Sequence, residues 1–201
     1  MSRAAARQRS GVTCVLLAAG GSQRLGRPKQ LARHRTRPLL RHALEAARAA
    51  LPESPLIVVL GAHATRLRLV VRRMATGAVT VQNSRWANGL ASSLQAGLAA
   101  SPRGTRAILV MLADQPQVDA KALRRLLAAW RRRPGVAAAA GYLDRAGVPA
   151  VLPRRHWPAL RALRGDSGAR ALLRDGTPLT LVEMPEAAVD IDTPADLRRL
   201  R

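Results

Sequence analysis

The chain has no phenylalanine, a single tyrosine and three tryptophans among 201 residues. That scarcity argues against a surface on which unpaired bases stack. It has one cysteine, Cys14, so no internal disulfide can form. This fits a reducing, cytoplasmic setting, with Cys14 as a small apolar residue of the first strand. No stretch approaches ~18 uninterrupted apolar residues, so no transmembrane helix is expected. The pattern Gly-x-Ser-x-Gly is absent, which argues against a serine nucleophile elbow and covalent catalysis. The four histidines, His34, His42, His63 and His156, lack metal-ligand spacing, and surface placement is expected for them. Acidic residues are few, 12 against 34 basic ones, for a net charge of +22. The excess is arginine, since Lys29 and Lys121 are the only lysines. Its runs fall at scattered helical places, as on solvated faces. No specific nucleic-acid partner is therefore expected, although salt-sensitive sticking is. A positive field also draws in anionic substrates.

What is present alternates between strand and helix. Residues 1–11 carry Arg3, Arg7 and Arg9 with no acid and read as a flexible basic leader. Residues 12–201 read as one domain. Val12–Ala18 is a near-continuous apolar run, as in a parallel strand covered on both faces. Leu56–Leu60, Ala78–Gln82, Ala107–Leu112, Val136–Tyr142, Val148–Leu152 and Leu179–Met184 read as further strands. Between them Pro38–Leu51, His63–Met74, Ala91–Ala100 and Asp119–Arg131 carry helical periodicity, with Asp119 as an N-cap. His156–Leu163, Ala169–Leu173 and Pro194–Leu200 read as shorter helices, and Asp144-Arg145-Ala146-Gly147 as a turn. The order implies a single three-layer α/β domain with a mostly parallel sheet. Ligands of such sheets bind at the carboxyl ends of the strands.

The first strand opens into a small-residue loop, Ala18-Ala-Gly20-Gly21-Ser-Gln-Arg24-Leu-Gly26-Arg-Pro-Lys29. Small residues let backbone N–H groups approach an anion, and Arg24 and Lys29 add fixed positive charge. The spacing matches neither the Walker A loop nor the dinucleotide fingerprint. The loop reads as a polyphosphate cradle. The strand Ala107–Leu112 runs into Asp114-Gln-Pro, placing a carboxylate near the mouth of that loop. Such a group can hold Mg²⁺ against phosphate oxygens. Near the end, Asp190-Ile-Asp192-Thr-Pro194 puts two acids on one side of an extended run. Asp192 is the second expected metal ligand, Asp190 a reserve, and Asp196 a helix cap. In Asn83-Ser-Arg-Trp86-Ala-Asn-Gly89-Leu-Ala-Ser92-Ser93, Gly89 permits a tight bend. Either serine can cap the helix or contact a base, and Trp86 reads as a packing residue.

These segments, with Gly165-Asp-x-Gly168-Ala-Arg170, follow in the order found in the nucleotidyltransferases of molybdenum cofactor maturation. The chain most resembles the molybdenum cofactor cytidylyltransferases, from Thr13 to Leu200. The resemblance implies a Rossmann-like nucleotidyltransferase fold. It implies nucleotide binding by Ala18, Ala19, Gly20, Gly21, Arg24, Lys29, Gly89 and Ser93. Catalysis is implied for Arg24, Lys29 and Asp114, with Mg²⁺ on Asp114 and Asp192. The implied partners are CTP or another NTP and a molybdopterin-type phosphate acceptor, with a molybdenum hydroxylase as recipient of the product. The family often carries Arg-Gly-(His or Asn)-Pro after the fifth strand. Here the segment reads Arg145-Ala-Gly147-Val148-Pro149, and Val148 replaces the polar residue. Use of GTP or a sugar phosphate stays open, as does a non-catalytic nucleotide-binding chaperone of a molybdenum enzyme. Retention of both cations and both acids argues against the chaperone.

Overall fold

The computed structural model describes residues 11–74, 77–173 and 178–199. The expected leader, apart from position 11, lies outside them. Strand β1 (Val12–Ala18) is buried along its whole length. It pairs in parallel with β4 (Leu56–Leu60) on one side and β6 (Ala107–Leu112) on the other. β5 (Val79–Gln82) extends the sheet beyond β4. On the other flank β8 (Arg145–Pro153) runs antiparallel to both β6 and β7 (Ala137–Tyr142). β9 (Leu179–Glu183) pairs in parallel with β7. The order is β5-β4-β1-β6-β8-β7-β9, a mostly parallel sheet with β8 reversed.

Alternation along the strands creates two apolar layers. Cys14 and Leu16 of β1, with Val58 and Leu109, pack under α1 (Leu39–Ala50), α2 (Ala64–Arg73) and α4 (Ala120–Arg132). Val15 and Leu17, with Val59 and Val110, face the opposite way. There they meet Leu94 and Leu98 of α3 (Leu90–Ala100), Leu160 of α5 (Trp157–Ala162) and Ala169 of α6 (Ala169–Leu172). The result is helix, sheet, helix, as the alternation predicts. Asp119 caps α4 by accepting from the Ala122 N–H at 2.8 Å.

Two features depart from the sequence reading. A small hairpin joins β2 (Arg33–His34) and β3 (Arg37–Pro38) through Arg35 and Thr36, both at positive φ. Such turns favour Gly or Asn, so nothing in these residues announces one. The turn between β7 and β8 closes on Leu143-Asp144, again at positive φ, and Arg145, Ala146 and Gly147 belong to β8. The expected four-residue turn is therefore displaced toward the N-terminus. The hairpin's register shifts between Ala139 and Ala140, so Val148 and Pro149 of β8 lie opposite no residue of β7.

Candidate functional site

The carboxyl end of β1 delivers the chain to the mouth of a cavity of about 630 Å³. The backbone N–H groups of Gly20, Gly21 and Ser22 have no protein acceptor among the described residues. Gln30, buried beneath the loop, donates from Nε2 to the carbonyls of Ala18 and Gly20, both at 3.1 Å. Those oxygens are thus engaged by protein while the neighbouring amides stay free. Ser22, at positive φ, accepts from the Lys29 N–H at 3.0 Å and ties the two ends of the loop together.

The loop aims Lys29 at the two acids that the sequence analysis singles out. Its Nζ donates to Asp114 Oδ2 in a short contact and to Asp192 Oδ1 at 2.8 Å. Arg24 Nη2 donates to the other Asp192 oxygen at 2.9 Å. Asp114 follows β6, and its carbonyl accepts from the Ile191 N–H at 3.0 Å, which binds the tail segment to this strand end. The Asp114 Oδ1 and Asp190 Oδ1 atoms are buried without hydrogen-bond partners. Asp190 also borders the cavity.

The charges shape one another. Burial works to lower the Lys29 ammonium, but Asp114's charge and the bonds to both acids raise it above the ordinary lysine range. Burial works to raise Asp192, but Lys29 and then Arg24 bring its carboxyl below the usual range. Asp190 moves the other way, pushed up to about 6 by burial and then by the charge of Asp114.

Gly89 and Ser93 border the same cavity from the start of α3. Gly89 has φ 91°, and a Cβ there would overlap the Gly165 carbonyl. Its lack of a side chain lets the segment at residues 165–166 close against α3, where the Ala91 N–H donates to the Gly165 carbonyl at 3.1 Å. Ser92 takes the structural role: its hydroxyl donates to the carbonyls of Arg85 and Gly89. Ser93 accepts from Asn83 Nδ2 at 3.1 Å and faces the cavity.

The family profile of the MobA-like NTP transferase domain matches residues 14–182. The chain belongs to this family. As a MobA-like NTP transferase it is 37% identical to the nicotine blue oxidoreductase of Paenarthrobacter nicotinovorans, over 94% of this chain and 96% of the relative. Rv0371c of Mycobacterium tuberculosis H37Rv is 34% identical, with a TM-score of 0.79 over 94% of this chain and 97% of that one. A second structure of Rv0371c, in complex with manganese, is 33% identical with a TM-score of 0.75, over 94% and 96% of the two chains.

Every residue expected to hold nucleotide or metal in this MobA-like NTP transferase borders the one cavity: Ala18 through Gly21, Arg24, Lys29, Gly89, Ser93, Asp114 and Asp192. Asp190 and Asp192 lie in a loop, not in a strand, yet both face it. Asp196 caps the last helix, α7 (Pro194–Arg199), accepting from the N–H groups of Asp192 and Thr193. Trp86 borders the cavity and covers Gly21, beyond the packing role expected of it. The histidines correct the expectation of surface placement. His34 and His156 are each only 8% exposed. His34 packs its ring against His42, and His42 Nε2 bonds the His34 carbonyl at 2.8 Å. Gln30 and Arg170 were not identified as site residues. Gln30 carried a signal, since it directly follows the cradle lysine. Among the described residues no helix is long and apolar enough to cross a membrane.

Proposed function

We propose that this nucleotidyltransferase moves CMP from CTP to a molybdopterin-type phosphate acceptor and releases pyrophosphate, with magnesium held by Asp114 and Asp192. The observation that carries the reading is Lys29 Nζ, which touches a carboxylate from the middle of the chain and another from its tail beside three free backbone N–H groups.

The donor set suits a hard divalent cation. Asp114 and Asp192 both lie within reach of one ammonium, so they bracket a point the size of a cation. Asp114 keeps a buried oxygen without a partner. No group of three or more His, Cys, Asp or Glu side chains is arranged for a metal among the described residues. Magnesium takes one or two carboxylates and completes its shell with water and phosphate oxygens. The manganese complex of Rv0371c supports a divalent ion here. Bound there, the ion supplies positive charge against the phosphate oxygens.

The chain's own residues do the remainder. The amides of Gly20 to Ser22 receive phosphate oxygens, and Arg24 and Lys29 offset the charge that gathers on the departing pyrophosphate. An acceptor phosphate oxygen attacks the α-phosphorus in line. The bond from that phosphorus to the bridging oxygen breaks, and pyrophosphate leaves with the electron pair. A phosphate is already ionised at neutral pH, so no general base is required. This suits a cavity whose lining includes no histidine. Catalysis is positioning plus electrostatics.

The test is incubation with CTP or GTP, Mg²⁺ and molybdopterin, with mass analysis of the product and a pyrophosphate assay. A cytosine dinucleotide product is expected. A guanine product would move the reading to GTP, and a product only with sugar phosphates would replace the acceptor. The similarity to nicotine blue oxidoreductase motivates a second reading, oxidoreduction of a dye substrate in the same cavity. Oxidation of NADH or NADPH in the presence of such a dye, without pyrophosphate release, would favour it.

A further inference from the structure

The cavity has two differently built sides. On the side of β1 and β6 stand the loop cations and Asp114. Beyond them the sheet continues to β8 and β7, and there the lining changes to Val148, Asp166, Gly168, Ala169 and Arg170. Val148 and Ala169 belong to one apolar cluster. Arg170 is half-buried and makes no ion pair among the described residues. Its hydrogen-bond partner is neutral: Nη2 donates to the Tyr142 hydroxyl at 3.1 Å. A cavity-facing guanidinium that pairs with no carboxylate, Asp166 of the same lining included, is a receptor for an anion.

Its aim is fixed by the only tyrosine of the chain. Tyr142 is 6% exposed. Its hydroxyl points its proton at the Val148 carbonyl, 3.5 Å away, which leaves its lone pairs for Arg170. The ring sits over Gly147, where any Cβ would overlap the hydroxyl. Gly147 thus seats Tyr142, and Tyr142 steers Arg170 toward the cavity.

We infer that Arg170 is the specificity-determining contact for the anionic group of a phosphomonoester acceptor, and that Tyr142 is its positioning residue. The body of that acceptor rests on Val148 and Ala169, where the wall is apolar. The inference rests on the transfer reading of the cavity, but its test can be separated from it.

The test uses the full chain, saturated with CTP to fill the loop side, and phenyl phosphate as a planar phosphomonoester probe titrated by calorimetry. Arg170→Met should weaken the probe roughly 10–100-fold, the worth of a charge-assisted hydrogen bond. Tyr142→Phe should weaken it less, about 3–10-fold, because Tyr142 acts only by orienting Arg170. Arg170→Lys should recover part of the loss. CTP affinity should hold in all three variants, which also reports that they fold. With molybdopterin, Arg170→Met should raise KM for the acceptor and leave KM for CTP unchanged. Unchanged probe affinity in Arg170→Met would overturn the inference. So would a parallel loss of CTP affinity, which would give the contact to the nucleotide. If wild-type chain binds the probe through Arg170 yet transfers no nucleotide to any acceptor, the anion site stands and the proposed reaction falls.

Discussion

Lys29→Met removes a cation from between two carboxylates while keeping most of the apolar stem. The side chains of Lys29 and Asp114 are 19% and 11% exposed, so their contact is largely dry. Removing one partner of a buried ion pair costs ~3–5 kcal/mol, because the other charge is left uncompensated. The Asp192 side chain is 36% exposed, and its pairing adds about 1 kcal/mol at most. Neither side chain is fully dry, so a total near the low end, about 3–4 kcal/mol, is expected. For a domain of this length each kcal/mol lowers Tm by ~2–4 °C, so a fall of roughly 6–16 °C follows. The folded Lys29 ammonium lies above its ordinary range. Its contribution is therefore complete at neutral pH and is lost only as pH rises through that elevated value. The assay is thermal unfolding with chelator and then with Mn²⁺. In the variant Asp114 loses its cation and Asp192 keeps only Arg24, so the ion should raise Tm further than it does in wild type. Equal melting of the two proteins in chelator, or no added response to Mn²⁺ in the variant, would refute the reasoning.

Other outcomes follow from the same geometry. Asp114→Asn should lower nucleotidyl transfer ~100–1000-fold with its fold intact by circular dichroism, the usual cost of one charge stabiliser. Gly89→Ala should destabilise the chain by more than about 1 kcal/mol in urea unfolding, since positive φ and overlap with Gly165 both oppose a side chain. Asp190, pushed up to about 6, binds its proton more tightly folded than unfolded. Metal-free wild type should therefore lose stability as pH rises from about 4 to about 6 and then level off. Asp190→Asn should flatten that slope in denaturant titrations taken at each pH. Arg24→Ala should lower Tm by no more than ~4 °C, because its pair with Asp192 is exposed, yet still slow transfer.

Much of this was written in local patterns. The unbroken apolar run of β1 and the alternation of strand and helix set the layers, and the loop after β1 pointed to Arg24 and Lys29. Asp114 and Asp192 could be chosen because acids are scarce in this chain and these two sit where strands end. The meeting of Lys29 with Asp192 spans 163 positions, and spacing alone does not report such a contact. The motif resemblance supplied it. The hairpin at Arg35-Thr36 stayed hidden because its residues are not those that favour left-handed φ. His34 and His156 were misplaced because burial of a histidine depends on neighbours from distant segments. The support of Arg170 by Tyr142 and Gly147 was illegible for the same reason, since it joins a short helix to a strand through one hydroxyl.

The bond from the Ile191 N–H to the Asp114 carbonyl has a consequence for synthesis. The cradle loop and Asp114 leave the ribosome well before Asp192 does. A nascent chain halted before residue 192 lacks half of the carboxylate pair. Completion of the carboxylate pair is thereby tied to translation of the tail.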